Sequence, residues 1–384
     1  MLRQMADLHD LTALEQAQAI RAGQTSPADL VAHYLDRIGR LNGQLGALIT
    51  VTADQALGQA RAATKLLSAR GHDPAGLPPL LGVPTAIKDL TATAGVRTTY
   101  GSRAFAAHVP DADAHLVTML RAAGTISLGK TNTPEFGLGP YTDNDVAGPA
   151  RTPWDLRCSA GGSSGGAAAA VAGGLVPFAH GSDGGGSIRI PASACGLVGL
   201  KPSRGRVSFA PDASPPGLAV NGVLARTVRD AAVMLDAIAG PVPGDPYWAP
   251  PLPAGQTFLA QAGAEPGRLR IGRYATAASG VEIDPACLAA WDQASSLLAA
   301  LGHDVQDIEV PFGPEIGRMF ARVWAVLSLG TGVADEDEEL LRPVTRAWRA
   351  HGRKITGRST RRRSAACSSP RGWPSRRPRG TTPC

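Results

Sequence analysis

The chain has 384 residues, of which 43% are hydrophobic and 18% charged, a composition typical of a globular protein with a large core. Its N-terminus lacks the basic start and apolar centre of a secretory signal, and its longest weakly polar run, residues 165–178, is too short to span a bilayer. We therefore expect a cytoplasmic protein without a membrane segment.

The net charge of +6 comes from the C-terminal end of the chain. Residues 358–384 hold eight arginines and no lysine, aspartate or glutamate, so residues 1–357 carry a net charge of −2. Two interpretations of this tail stay open: a disordered basic segment that binds nucleic acid, or the product of a shifted reading frame in a GC-rich gene. We favour the frame shift, because the composition changes abruptly and nothing in residues 1–357 indicates a nucleic-acid partner.

The cysteines do not form a recognisable metal-binding pattern. The five of them are scattered, and neither CxxC nor HExxH occurs in the chain. We expect Cys158, Cys195 and Cys287 to be small buried hydrophobic residues, and we expect no metal and no cofactor.

Helices and strands are predicted to alternate along the chain. Residues 10–22 and 26–41 have helical spacing of apolar residues, and Ser26 followed by Pro27 and Asp29 is a typical helix start. The later predicted strands are 45–51, 77–90, 125–130, 269–274 and 304–310, and the later predicted helices are 52–70, 112–123, 167–174, 229–239 and 285–301. This order predicts an α/β fold, with a mixed, mostly parallel central sheet covered by helices on both faces.

The central stretch from Gly161 to Pro191 contains two glycine–serine clusters separated by an apolar run of small residues. The second cluster, SDGGGS, places three glycines before Ser187, so several backbone N–H groups can converge beside its hydroxyl, as in an oxyanion hole. A phosphate-binding loop or a plain turn remains open from the residues alone. Neither GxxxxGK[ST] nor GxGxxG occurs in the chain, so nucleotide binding lacks its usual signature.

A serine nucleophile needs a base, which could be a histidine, as beside a GxSxG nucleophile elbow, or a lysine with a lowered pKa. GGSSGG satisfies GxSxG at Ser163 and at Ser164, yet the preceding PWDLRCSA is not the buried apolar strand that a nucleophile elbow follows. The other base is Lys88, which ends a predicted apolar strand where burial would lower its pKa.

Five motifs in this order and spacing resemble the amidase signature family: GVPTAIKDL, GKTNTPEFG, GGSSGGAAAAVA, GSDGGGSIRIPASACGLVGLKPSRGRV and LARTVRDAA. The resemblance covers roughly residues 10–357 and implies a single amidase-signature domain over 1–357. It implies a Ser–cis-Ser–Lys triad in which Ser187 is the nucleophile, Lys88 the general base and Ser163 the relay between them.

The resemblance also implies an oxyanion hole. Its hydrogen-bond donors would be the backbone N–H groups of Gly184, Gly185, Gly186 and Ser187.

Four further residues match family positions near the site. Ser164 would support the triad with its hydroxyl, and Gly137 would lie near the acyl-binding cleft. Asp183 and Arg189 would be orienting residues. For both, a purely structural role in bracing the loop is as compatible with the residue type as a catalytic role.

The implied reaction is hydrolysis of a small-molecule carboxamide through a seryl acyl-enzyme, and assembly as a homodimer stays open. One alternative is the amidase subunit of a glutamine-dependent tRNA amidotransferase, which typically reads SDTGGSIRQPA where this chain has Gly184 and Ile190. The other is a non-catalytic protein, because family members are longer and the domain over 1–357 would lack its C-terminal part.

Overall fold

The computed structural model describes residues 7–70, 76–211, 217–277, 280–313 and 315–355. They form two compact units. The first takes in the residues up to Ala264 together with Thr331–Arg346, and the second takes in Glu265–Gly330 and the described residues from Ala347 onward. The arginine-rich tail, 358–384, lies outside the described residues, so its two interpretations and the domain predicted over 1–357 stay predictions.

The first unit alternates helices with short strands. Its helices are α1 (Ala13–Arg21), α2 (Pro27–Leu45), α3 (Ala53–Arg70), α4 (His115–Ala122), α5 (Gly165–Ala172), α6 (Arg189–Cys195), α7 (Val228–Ile238) and α8 (Phe258–Ala262). Its strands are β1 (Leu48–Val51), β2 (Pro84–Lys88), β3 (Ile126–Thr131), β4 (Arg151–Thr152), β5 (Asp155–Ser159), β6 (Phe178–Asp183), β7 (Val198–Leu200) and β8 (Val220–Ala225).

Among the residues described in the second unit, two helices and a pair of parallel strands lie wholly within it. These elements are β9 (Arg270–Arg273), α9 (Pro285–Ala300), β10 (Asp304–Asp307) and α10 (Ile316–Leu327). The last described helix, α11 (Pro343–Arg353), includes the boundary after Arg346. Within the described ranges, no helix is both long and apolar enough to cross a membrane.

Helix α2 begins where its sequence predicts. Ser26 Oγ accepts a hydrogen bond from Asp29 N at 3.1 Å, and the Asp29 carboxylate accepts one from Ser26 N at 3.3 Å, which is a capping box with Pro27 in the first turn. The helix continues beyond the predicted range 26–41 because its stop signal is Gly46, whose φ of 58° lies in the left-handed region.

Two three-stranded sheets lie in the first unit, with strand orders β1-β3-β2 and β6-β8-β7. The α/β class and the mixed pairing are confirmed, but antiparallel pairs outnumber parallel pairs among the described strands, unlike the mostly parallel sheet that we predicted. Strands β6 and β7 run in the same direction and are joined through α6, as alternation predicts. Strand β8 then returns between them in the opposite direction, after a connection without a described helix.

Two other expectations from the sequence need correction. The strand predicted over 77–90 is formed only from Pro84 to Lys88, since the two prolines in the preceding LPPLLG lack N–H donors and the chain turns there. Cys195 is buried as expected, whereas Cys158 and Cys287 are exposed.

Helix α5 is enclosed on every side, which explains its composition of glycine and alanine. Its residues from Gly165 to Val171 are all buried. A Cβ atom on Gly166 would lie 2.2 Å from Asn132 N and 2.5 Å from Ala47 O. Because these are backbone atoms, they cannot move aside as the tip of a flexible side chain can.

Gly166→Ala is therefore expected to lower the free energy of unfolding by about 1–3 kcal/mol or more through overpacking. The matched variant is Gly39→Ala on α2, where a Cβ would meet nothing within 4 Å and helix propensity should add about 1 kcal/mol. Urea midpoints of the two variants and the parent chain measure both effects. Equal midpoints for both variants would contradict the tight packing of α5.

Candidate active site

Lys88 is the last residue of β2, a strand whose five residues are all buried. Its Nζ donates to Ser163 Oγ at 2.7 Å and to the Ser182 hydroxyl at 3.1 Å, and it lies 3.3 Å from the Ser182 carbonyl oxygen. The structure thus brings Lys88 and Ser163 into direct contact. Their catalytic roles stay a prediction.

Burial lowers the pKa of the Lys88 amine to about 7, because the charged ammonium has no bulk water around it; the Asp183 carboxylate acts in the opposite direction. An amine with this pKa is partly neutral near neutral pH. A neutral amine has a free lone pair and can accept a proton from a hydroxyl group.

Ser163 follows a cis peptide bond with Gly162, the arrangement that the family resemblance implies at this position. Gly137 lies beside it: φ at Gly137 is 70°, and a Cβ there would come within 3.3 Å of Ser163 Oγ. Gly137 therefore lies beside Ser163, and its place near an acyl-binding cleft stays a prediction.

The two glycine–serine clusters are joined through Ser164. Its backbone N donates to the Ser187 carbonyl oxygen at 3.1 Å. Its hydroxyl lies 3.3 Å from the Ser182 carbonyl oxygen and accepts from Ser182 N at 3.3 Å. Ser164 therefore connects the start of α5 to the end of β6, and the supporting role predicted for it stays a prediction.

Asp183 and Arg189 form a two-pronged ion pair. Arg189 Nε and Nη2 each donate to one oxygen of the Asp183 carboxylate at 2.9 Å. The carboxylate also accepts from Gly186 N at 2.8 Å and Ile188 N at 3.1 Å. Burial tends to raise the pKa of Asp183, but these hydrogen bonds outweigh it and the pKa is lowered. The pair braces the loop around Ser187.

The loop glycines differ in how their N–H groups are used. The Gly186 N–H is engaged by Asp183, so it is not free to bind an oxyanion in this structure. In the part of the chain that the structure describes, no protein group accepts from the N–H of Gly184, Gly185 or Ser187. These three donors remain available to a ligand.

Ser187 stands between β6 and α6, with 7% of its surface exposed. Its hydroxyl has no hydrogen-bond partner among the described residues. The structure therefore links Ser187 to the Ser163 loop through the backbone but does not form a Ser163–Ser187 hydroxyl contact.

Two residues at this site were not identified from the sequence. Ser182 contacts the Lys88 amine, and its position at the head of SDGGGS was the available signal. His180 is fully buried, with Nδ1 3.3 Å from Lys88 N and Nε2 3.1 Å from Asn221 Oδ1, and desolvation lowers its pKa to about 3. Both ring nitrogens are occupied, so His180 is no base for a serine.

One group of side chains in the described ranges has donor atoms close enough to hold a metal ion: Asp7, His9 and Asp10. Asp7 and Asp10 are exposed, and His9 Nδ1 lies 3.1 Å from His33 Nε2. None of these residues contacts Lys88 or the glycine–serine clusters through a described hydrogen bond, so we assign the group no part in the chemistry of this site.

The proteins to which this chain is similar are amidases and related enzymes. The family model described as Amidase matches residues 29–368. A 6-aminohexanoate-cyclic-dimer hydrolase from Paenarthrobacter ureafaciens is 40% identical over 77% of this chain and 58% of its own length. One subunit of the glutamyl-tRNA(Gln) amidotransferase from Chromohalobacter salexigens is 47% identical over 61% of this chain and 47% of its own length.

A solved structure of a bacterial aryl acylamidase, itself an amidase signature enzyme, superposes with a TM-score of 0.84 at 28% identity and covers 93% of this chain and 75% of its own. The chain spans about half the length of the curated relatives it matches. On the extent of the family match and of the structural likeness, the chain belongs to the amidase signature family.

Proposed function

We propose that this chain hydrolyses a small-molecule carboxamide to an acid and an amine or ammonia through a seryl acyl-enzyme. The observation that carries the proposal is the fully buried Lys88 amine, with its lowered pKa, 2.7 Å from Ser163 Oγ. A buried neutral amine in contact with a hydroxyl is the arrangement that serine activation without histidine requires.

In the first half of the proposed reaction, Ser187 Oγ attacks the carbonyl carbon. Its proton passes to Ser163 Oγ while the Ser163 proton passes to Lys88 Nζ, and the carbonyl π electrons become an oxyanion. The free N–H groups of Gly184 and Gly185, with that of Ser187, stabilise the oxyanion. Gly186 was among the oxyanion donors predicted from the sequence. It is left out here because its N–H donates to the Asp183 carboxylate and braces the loop.

In the second half, the oxyanion collapses and the C–N bond breaks. The leaving nitrogen takes a proton from Ser163, which recovers one from Lys88. Water then attacks the Ser187 ester and loses a proton through Ser163 to Lys88. The new oxyanion collapses, the C–O bond to Ser187 breaks, and the proton returns from Lys88 through Ser163 to Ser187 Oγ as the acid leaves. These steps use only the three side chains, the backbone N–H groups and water, and they need no metal or cofactor.

The names of the relatives support small amides as substrates, since one is a cyclic-dimer hydrolase and another an aryl acylamidase. The amidotransferase subunit is the second candidate, favoured by a relative at 47% identity. Gly184 and Ile190 replace the Thr and Gln of that subunit's motif. Ammonia release from glutamine, but not from aryl or alkyl amides, would favour the second candidate.

The test is the pH dependence of hydrolysis of an aryl amide. Lys88 must be uncharged to act as base, so kcat/KM is expected to rise about tenfold per pH unit below the pKa of Lys88 and to level off above it. The profile should bend at about pH 7, where half of the Lys88 amines are neutral. Initial rates between about pH 5 and 9 measure it; a flat profile over that range would contradict Lys88 as the base.

A further inference from the structure

Two short loops of the first unit press on the peptide that carries Ser163. In one loop, a Cβ on Gly137 would lie 3.3 Å from Ser163 Oγ. In the other, a Cβ on Gly162 would lie 2.7 Å from the Tyr141 backbone, and the Thr142 hydroxyl accepts from Gly165 N at 3.1 Å. The position of the Ser163 hydroxyl therefore depends on both loops.

Arg342 joins these two loops. Its backbone N donates to Glu135 Oε2 at 2.9 Å, two residues before Gly137. Its guanidinium donates to the Asp143 carbonyl oxygen at 2.7 Å and to the Asp143 carboxylate at 3.1 Å. The Asp145 carboxylate lies 3.5 Å from Arg342 Nε. A single residue distant in sequence thus holds the ends of both loops.

The anchor on the first loop is buried. Glu135 is 4% exposed, and its other carboxylate oxygen accepts from the Ser102 hydroxyl at 2.7 Å. The guanidinium of Arg342 is only 27% exposed while it bonds the second loop. A planar guanidinium that donates to both the carbonyl oxygen and the carboxylate of Asp143 fixes orientation as well as distance, which an ammonium group does not.

We propose that Arg342 is a positioning residue for the proposed reaction: its backbone N–H holds the 135–137 loop, its guanidinium holds the 141–145 loop, and together they keep the Ser163 hydroxyl beside the Lys88 amine. The inference rests on the proposed function for its catalytic consequence. The clamp itself is a property of the loops, so it can be measured without substrate.

The experiment compares Arg342→Ala with Arg349→Ala. Arg349 serves as the control because it is also an arginine that bonds a backbone carbonyl. It is 4% exposed and donates to the Ser328 carbonyl oxygen at 2.8 Å, and both of these residues belong to the second unit. Hydrogen–deuterium exchange is measured on peptides that cover 135–145 and 160–166. Arg342→Ala removes the guanidinium bonds to Asp143 and Asp145 but keeps the backbone N–H that bonds Glu135. It is expected to speed exchange in both peptides by about tenfold through release of the 141–145 loop, and Arg349→Ala is expected to leave both unchanged.

The catalytic consequence is measured as the rate of Ser187 modification by a fluorophosphonate, together with kcat and KM on an aryl amide. Arg342→Ala should lower the labelling rate and kcat by about 10- to 100-fold with little change in KM, since a misplaced relay affects the chemical step. Arg342→Lys, which keeps the charge without the fork, should recover only part of the rate.

The outcomes separate the two proposals. Unchanged exchange over 160–166 in Arg342→Ala, or the same exchange and rate losses in Arg349→Ala, would overturn the clamp. A parent chain that neither labels nor hydrolyses amides would overturn the proposed function, while the exchange data still decide whether Arg342 holds the Ser163 loop.

Discussion

Ser187→Ala is expected to abolish labelling by a fluorophosphonate and to lower amide hydrolysis by at least about 10³-fold. The hydroxyl removed is the proposed nucleophile, and without it no acyl-enzyme forms. Stability should hardly change, because the Ser187 hydroxyl has no hydrogen-bond partner among the described residues. Intact mass before and after treatment, with peptide mapping of the adduct, measures the first effect.

The control variants replace the neighbouring serines. Ser163→Ala leaves the nucleophile in place but breaks the proton path to Lys88, so it should label slowly and still only on Ser187. Ser164→Ala removes the hydroxyl that bonds the Ser182 backbone. It should lower the free energy of unfolding and leave the labelling rate of the folded protein nearly unchanged. An adduct on Ser163 or Ser164 in the parent chain would contradict Ser187 as the nucleophile.

Local signals accounted for much of the fold. Ser26, Pro27 and Asp29 predicted the start of α2 because capping uses groups within one turn of the chain. Strand directions were less predictable from the sequence: β8 lies between β6 and β7 although it follows both. Which strands meet is decided by contacts between distant residues, and the alternation of helices and strands does not report it.

The candidate site divides in the same way. The contact between Lys88 and Ser163 was predicted by resemblance to a family, because neither residue indicates the other by spacing. The hydrogen bond from Gly186 N to Asp183 depends on the exact turn of the loop, which a run of three glycines leaves open. Arg342 carried no sequence signal, since it follows Glu135 by 207 residues.

Lys88→Met is expected to lower kcat/KM by at least about 10³-fold and to remove the rise of activity with pH. Methionine matches the length of the side chain without supplying a base. Wild-type stability should rise with pH between about 7 and the unfolded value of 10.5, because the unfolded lysine binds a proton there and the buried one does not. Unfolding midpoints at two pH values measure whether Lys88→Met loses part of that rise; the remainder comes from Lys130, whose pKa is lowered by burial to about 8.

The chain offers a matched control in Lys130→Met. Lys130 is also fully buried, and burial lowers its pKa to about 8, but its amine bonds the Thr91 carbonyl oxygen and the hydroxyls of Thr93 and Thr98. Losing these bonds should lower stability, with kcat/KM per folded molecule kept within about tenfold. Equal losses of kcat/KM in the two variants would mean that activity is lost when either buried amine is removed. That result would contradict the assignment of Lys88 as the base.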